Sequence, residues 1–228
     1  MSLDLDRIPR WTPGPQARVD WSHPLAAGLL GVALANRIIY GYQGPVTGTG
    51  IAALAPTVFG NGRTVANAPN GLKVCDFPAQ TDTSQFTLTY VGRFPTAAVP
   101  TLAGYRNGGG PGVTFTKLYR TEVQYYSNGN NRYTQAHGAT GGTDAMVSLV
   151  KRGLVLEVWR NGGRVHASSA FTSGQLDQNA AVCYYTHGDE ADNSPGAALV
   201  LSSLHDRALT GSEFAQLYAD PFCFLTEA

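Results

Sequence analysis

The amino-acid sequence predicts an all-β protein, a single antiparallel jelly-roll sandwich of two sheets with one short helix near the C-terminus. Three observations predict this fold. The 228 residues include 27 Gly and 13 Pro, which divide the chain with turn signals. Between the turns lie short runs with the alternating polarity of strands. No helical segments alternate with these runs, which excludes a parallel α/β sheet and favours two antiparallel sheets packed face to face.

The strand pattern recurs along most of the chain. The predicted strands span residues 71–77, 86–94, 112–117, 122–127, 144–151, 154–160, 164–168, 181–186 and 197–204. Leu156 and Val158 share one face of their strand and Trp159 lies on the other. We therefore expect the first face in the core and the second to be partly covered. Asn161-Gly162 follows as a two-residue hairpin turn, because both positions tolerate positive φ.

The C-terminal segment predicts a strand, a turn and one helix. Residues 199–204 alternate large apolar with small polar side chains, as a half-buried strand does. Thr210 and Glu213 have the spacing of a capping box, in which each side chain satisfies a free backbone N–H of the other residue. An apolar stripe at helical spacing follows, formed by Phe214, Leu217 and Tyr218. Asp220-Pro221 then ends the helix, since proline disfavours helical conformation in the residue before it.

The N-terminal segment has a different character. Residues 1–20 are rich in proline, which is unfavourable for a helix or a central strand. They also include Ile8 and Trp11, two apolar side chains suited to anchoring an extended arm. We expect residues 1–20 to dock either on their own domain or on a neighbouring subunit, and residues 21–228 to form the sandwich.

Composition excludes several classes of function. Charged residues make up only 14% of the chain and the formal net charge is +0, without a Lys/Arg cluster, so nucleic-acid binding is not expected. The longest apolar stretch, 24–39, is broken by glycines and Arg37 and is too short to cross a membrane. The N-terminus lacks a signal-peptide pattern, so use without export is expected. An odd number of widely spaced cysteines predicts buried thiols at Cys75, Cys183 and Cys223, with a single disulfide as the alternative.

An ordered set of phrases resembles one family. They occupy residues 20–29 (DWSHPLAAGL), 70–77 (NGLKVCDF), 86–94 (FTLTYVGRF), 154–163 (LVLEVWRNGG) and 209–222, a Leu-Thr-x-x-Glu helix followed by Asp-Pro-Phe. Together they resemble the LamG-like, concanavalin A-like jelly-roll domains of tailed-bacteriophage virion proteins. The resemblance implies the sandwich fold and a phage source.

The function expected from this resemblance is structural and non-enzymatic. The leading hypothesis is a capsid decoration protein of the virion, assembled in the host cytoplasm. It would dock on the major capsid protein or other virion subunits and form a homo-oligomer on the particle. The alternative is a carbohydrate-binding module of a tail fibre or host-adhesion device. A polysaccharide-degrading enzyme is a more distant third possibility.

Candidate catalytic and metal sites are sparse. Glycoside hydrolysis needs two carboxyl groups about 5–10 Å apart, but the best central strand offers only Glu157, so no catalytic residue is predicted. Asp189, Glu190 and Asp192 concentrate oxygen ligands of the kind that calcium prefers. They fall in a turn-rich segment where acidic residues are ordinary, so a solvated loop is expected. The histidines lack metal-ligand spacing with one another, and no cofactor is predicted.

Tyrosines are the remaining feature. Exposed tyrosines suit sugar stacking or protein interfaces, because the ring buries a large area at low entropic cost. Adjacent tyrosines in a strand place one ring inside and one outside. Tyr125 and Tyr133 are the candidates for aromatic side chains that face a ligand, although core or rim packing accounts for most of the tyrosines.

Overall fold

The computed structural model describes most of the chain. The described residues are 13, 16–34, 37–40, 51–65, 72–81, 85–96, 102–106, 115–127, 130–172, 181–186 and 197–227. The strands are β1 Arg18–Val19, β2 Leu29–Leu34, β3 Arg37–Tyr40, β4 Ile51–Thr57, β5 Gly60–Val65, β6 Leu72–Thr81, β7 Phe86–Arg93, β8 Ala103–Arg106, β9 Phe115–Leu118, β10 Glu122–Ser127, β11 Asn130–Ala136, β12 Asp144–Arg152, β13 Val155–Arg160, β14 Gly163–Ala167, β15 Ala181–Thr186, β16 Ala198–His205 and β17 Leu225–Thr226. A 3₁₀ turn spans Pro24–Ala26 and helix α1 spans Gly211–Ala219.

Two antiparallel sheets form the sandwich, as predicted. The larger sheet has the order β14-β13-β12-β7-β16-β2-β3, with β5 also paired to β16 and β4 to β5. The smaller sheet has the order β11-β10-β9-β8-β15-β6. A separate ladder joins β1 to β17. Helix α1 is the only α-helix among the described residues, and no helix in that part of the chain has the length and apolar character needed to cross a membrane.

The main core lies between the two sheets. Phe86 and Leu88 of the larger sheet pack against Val123 and Tyr125 of the smaller sheet, and all four are buried. The rings of Phe86 and Tyr125 stack with their centroids 6.1 Å apart. Leu156 enters the same core, which confirms the prediction for the inward face of its strand. Burial of these side chains supplies the main driving force for joining the sheets.

A second core covers the opposite face of the larger sheet. It includes Phe214 and Leu217 of α1 together with Leu25 of the 3₁₀ turn. The indole of Trp159 stacks on the Phe214 ring at a centroid distance of 4.5 Å, so the outward face of β13 is partly covered as expected. Every residue of β16 is buried. The expectation of a half-buried strand at 199–204 was therefore wrong, because α1 and the terminal segments cover the face that the pattern assigned to solvent.

Small polar side chains give α1 room above the sheet. Ser203, Thr89 and Ser148 are consecutive register partners across β16, β7 and β12. The hydroxyl oxygens of Thr89 and Ser148 are 2.8 Å apart. The Thr87 hydroxyl donates to the Arg207 carbonyl and accepts from the Leu209 N–H. These hydroxyls explain why residues that look solvent-facing in the sequence lie under the helix.

The ends of α1 follow the predicted chemistry. Thr210 is the N-cap, and its side chain and that of Glu213 form the complete capping box. Burial acts to raise the pKa of Glu213, but hydrogen bonds from Arg207 and Thr210 outweigh it and hold that pKa at about 2. The Arg207 guanidinium also donates to the carbonyls of Pro24 and Ala27. One ion pair therefore ties the helix to the N-terminal 3₁₀ turn.

The hairpin between β13 and β14 has the predicted turn. Asn161 has φ 50° and Gly162 has φ 80°. A Cβ on Gly162 would lie 3.3 Å from the Cβ of Tyr218 and 3.4 Å from the Cα of Ala215. Glycine is therefore needed here both for the backbone conformation and for the close approach of α1.

The end of the predicted N-terminal arm is fixed to its own domain. Arg18 pairs with Thr226, and Val19 pairs with Leu225. The Asp20 N–H donates to the Phe224 carbonyl. Ile8 and Trp11 lie outside the described residues, so their role as anchors stays a prediction.

Candidate functional site

The two sheets differ in how their outer faces are covered. On the larger sheet, α1 and the terminal segments cover the outer face. On β9, β10 and β11 of the smaller sheet, the face turned away from the core keeps half-buried or exposed side chains. We call this surface the outer face and define it by Lys117, Glu122, Gln124, Tyr126, Arg132 and Thr134.

Strand alternation sets the side chains of the outer face. Val123 and Tyr125 of β10 point into the core, so Gln124 and Tyr126 point outward. Gln124 is the register partner of Lys117 on β9 and of Thr134 on β11. Lys117 is in turn the register partner of Gly104 on β8. The row formed by Thr134, Gln124 and Lys117 across the strands therefore meets a position without a side chain at β8.

Tyr125 does not face a ligand, which corrects the first of the two tyrosine predictions. Its ring is completely buried between the sheets. The Lys151 ammonium lies 5.7 Å from the centroid of that ring. The physical reason is the register: Tyr125 occupies an inward position opposite Tyr133, and the adjacent Tyr126 takes the outward position.

Tyr133 is also mostly buried and holds an edge of the sandwich together. Its hydroxyl oxygen lies 2.8 Å from Nδ1 of His166. Tyr133 belongs to β11 at the edge of the smaller sheet, and His166 belongs to β14 at the edge of the larger sheet. Burial raises the pKa of the Tyr133 phenol. The arrangement suits closure of the side of the sandwich better than contact with a ligand.

A β-bulge distinguishes the outer face. The register of β10 and β11 shifts between Tyr125 and Tyr126, so that Tyr126 pairs with Asn131. Arg132 is the extra residue on β11. Its side chain is half-buried, and its Nε is buried with no hydrogen-bond acceptor in the described part of the chain. Sequence reasoning passed over Arg132, because bulges leave little trace in an alternation pattern.

Glu157 is fully engaged in structural contacts. Its carboxylate accepts a hydrogen bond from the Trp159 indole N–H at 3.0 Å and from Arg164 at 3.2 Å. Arg152 approaches within 3.6 Å. This geometry orients the indole that stacks on α1, and it leaves the buried carboxylate with cationic and polar partners.

Metal ligands do not cluster in the described residues, where no group of three His, Cys, Asp or Glu side chains could hold an ion. Asp189, Glu190 and Asp192 lie outside the described residues, so the solvated loop expected there stays a prediction. The side chains of Cys75 and Cys183 are not described. Cys223 is a half-buried free thiol, and burial raises its pKa to about 12.

Comparisons with solved structures give fold-level similarities. Domain 4 of AbnA, a GH43 extracellular arabinanase from Geobacillus stearothermophilus solved with arabinotriose, is 14% identical with a TM-score of 0.62, covering 84% of this chain and 98% of that domain. The binding domain of Paraclostridial Mosquitocidal Protein 1 is 13% identical with a TM-score of 0.59, covering 84% and 52%. Trypanosoma rangeli sialidase is 14% identical with a TM-score of 0.51, covering 86% and 33%.

These similarities support the sandwich architecture. The chain spans about half of the mosquitocidal binding domain and a third of the sialidase. No family model and no curated protein matches the chain. The resemblance to phage virion proteins, which rests on sequence phrases, therefore stays a prediction. At this level of identity the comparisons establish the β-sandwich fold of the chain.

Proposed function

We propose that this chain is a non-catalytic carbohydrate-binding sandwich, used by a tail fibre or host-adhesion device. The observation that carries the proposal is the outer face, a partly exposed sheet surface on which Tyr126 lies two residues from Gln124 along β10. Gln124 and Thr134 supply amide and hydroxyl groups in register with each other. A sugar presents an apolar C–H surface to an aromatic ring and hydroxyls to polar groups, so this combination suits it.

The fold comparison adds support from a different direction. The arabinanase domain, which was solved with arabinotriose, matches this chain over 98% of its own length. The sandwich as a whole is therefore comparable in extent with a domain that was solved holding an oligosaccharide.

A binding role without catalysis is consistent with the carboxylates. Glycoside hydrolases place two carboxyl groups on either side of the scissile bond. Glu157 is held by Trp159, Arg152 and Arg164 on the other sheet. On the outer face, Glu122 is the only carboxylate among the described residues, and it accepts a hydrogen bond from Gln124 at 2.6 Å.

Replacing Tyr126 with alanine is expected to weaken glycan binding about 5- to 150-fold. An aromatic ring that stacks on a nucleic-acid base is worth about 1–3 kcal/mol by alanine substitution, and we expect a comparable loss for a sugar face packed on Tyr126. The measurement is a glycan screen of the purified chain followed by calorimetric titration of the hits. Trp21→Ala is the matched control, since Trp21 is an exposed aromatic residue beside the 3₁₀ turn, which packs on the larger sheet and not on the outer face. Equal affinity of the Tyr126 variant and the unmodified chain would contradict the proposal.

A capsid decoration protein is the second candidate, favoured by the sequence phrases shared with virion proteins. The fixed position of Arg18 and Val19 adds a geometric argument. An arm that leaves the domain beside β17 starts from a rigid point, which lowers the entropic cost of docking.

Deleting residues 1–15, or changing Trp11 to alanine, is expected to leave a folded sandwich that no longer joins its particle. The deletion stops before Arg18 so that the β1–β17 ladder stays intact. Buried aromatic anchors commonly contribute several kcal/mol to an interface. Co-sedimentation with particles assembled without this protein measures the effect, and particles that already carry it serve as the control. Particle binding that survives the deletion, together with glycan binding lost in the Tyr126 variant, would exclude the decoration role.

A further inference from the structure

We propose that the outer face binds an acidic saccharide and that Arg132 pairs with its carboxylate. This inference rests on the proposed function and names the class of sugar that the site would take.

The first argument is the state of the Arg132 guanidinium. Arg132 lies in the bulge of β11, half-buried, and its Nε is removed from solvent without an acceptor in the described chain. A buried donor without a partner costs about 1–3 kcal/mol, and more when the group is charged. A ligand acceptor placed at this nitrogen would recover that cost.

The second argument is the contrast with other arginines whose side chains are described. Arg93 pairs with Asp144 at 2.9 Å, and Arg207 pairs with Glu213 at 2.7 Å. Arg164 pairs with Glu157. The half-buried Arg120 and Arg160 donate instead to the backbone carbonyls of Thr96 and Gly138. Arg132 is half-buried like them, but its Nε has no acceptor in the described part of the chain.

The third argument is the charge around Arg132. Lys117 is a second cation on the outer face, opposite Gln124. Glu122 is the only acidic residue that defines this face, and it lies four residues along β10 from Tyr126, away from the bulge. The outer face therefore carries a positive charge near the bulge, in contrast with the net charge of +0 of the whole chain, and this charge attracts an anion.

The carboxylate is the anion that this geometry fits best. Arginine presents a planar set of donors that matches a carboxylate, and such charge-assisted hydrogen bonds are about twice as strong as neutral ones. The neighbouring Tyr126, Gln124 and Thr134 suit the rest of a sugar ring. A uronic acid combines the two requirements in one residue.

The test uses the full chain and matched oligosaccharides. The probes are trisaccharides of galacturonic acid and of galactose, with a sulfated galactose trisaccharide as a third arm. We expect the unmodified chain to bind the galacturonic acid probe at least tenfold more tightly than the galactose probe. Arg132→Gln should remove this preference, so that the two probes bind the variant with about equal affinity. Added salt should weaken binding of the acidic probe to the unmodified chain more than to Arg132→Gln.

Two further variants keep the result interpretable. Arg18→Gln removes the same charge from an exposed position on β1 and should retain the preference. Arg132→Lys keeps the charge but lacks the planar donor set, so it should bind the galacturonic acid probe with intermediate affinity. It takes the place of Arg132→Gln if that variant is unstable. A preference that survives in both Arg132 variants, or stronger binding of the sulfated probe, would overturn the inference. Equal binding of the acidic and galactose probes would overturn it while leaving the proposed function intact. Absence of binding to all three probes would count against the proposed function itself.

Discussion

Replacing Leu156 with alanine is expected to lower the free energy of unfolding by about 2–5 kcal/mol. Leu156 is completely buried in the core between the sheets, on a central part of β13. Removing three carbon atoms there leaves a cavity that the paired strands β12 and β14 prevent from collapsing. Urea denaturation followed by circular dichroism would measure the change, and a shift in midpoint without a change in slope would identify it as a loss of stability.

The chain provides a matched control two residues away. Leu154 is 41% exposed in the turn between β12 and β13. Leu154→Ala makes the same chemical change and should alter stability by no more than about 0.5 kcal/mol. Equal losses for the two variants would show that the register of β13 is wrong.

Stability is also expected to fall as the pH drops from about 6.5 towards 4, because His205 is buried in its neutral form. Burial lowers the pKa of His205 to about 4, although a hydrogen bond to the Leu25 carbonyl acts in the opposite direction. Its Nε2 lies 2.9 Å from that carbonyl, and its Nδ1 is buried without a partner among the described residues. Arg207 and Glu213 are the charged groups that influence it.

The sign follows from the two protonation states. Below pH about 6.5 the unfolded chain binds a proton at His205, whereas the folded chain does not until about pH 4. The stabilisation that comes from neutral His205 is therefore fully present above about pH 6.5 and is lost as the pH falls from 6.5 to about 4. Each pH unit costs up to about 1.4 kcal/mol, so the total loss is on the order of 3 kcal/mol.

Thermal melts between pH 5 and 7 isolate this contribution. Glu213 loses its own contribution only below about pH 4.5, since its folded pKa is about 2. His205→Gln should be less stable at pH 7 and should show a shallower pH dependence. Some dependence should remain, because burial also lowers the pKa of His137. An unchanged slope in the His205 variant would exclude this histidine as the source.

Much of the larger sheet could be predicted from the sequence, because its strands carry strong local signals. In the larger sheet, Phe86–Arg93, Asp144–Arg152 and Val155–Arg160 lie within one residue of their predicted bounds. In the smaller sheet, the strands 122–127 and 181–186 match theirs. The Asn161-Gly162 turn and the capping box of α1 also follow from local chemistry. Each of these features depends on residues close together in the chain, which is why a single sequence reveals them.

The missed strands have patterns that tertiary contacts override. β2 reads as an uninterrupted apolar run, because both of its faces are covered. β11 reads as a polar loop around Asn130 and Asn131, yet it pairs with β10 along its length as an edge strand. Edge strands need fewer apolar residues, so their alternation is weak.

Only part of the candidate site could be predicted from the sequence. The rule that one of two adjacent tyrosines points inward holds for Tyr125 and Tyr126, but the choice between them depends on register. Arg132 could not be identified in advance, because its position results from a bulge. Both facts require the pairing of two strands, which the sequence of either strand alone does not specify.

The β1–β17 ladder has a consequence for how the domain responds to mechanical tension. The chain segments before Arg18 and after Thr226 leave the ladder at the same end, since these two residues are register partners. A pulling force entering through both segments would open the ladder one pair at a time, like a zipper, instead of shearing all its hydrogen bonds together. The ladder would yield first, before tension reached the paired strands of either sheet.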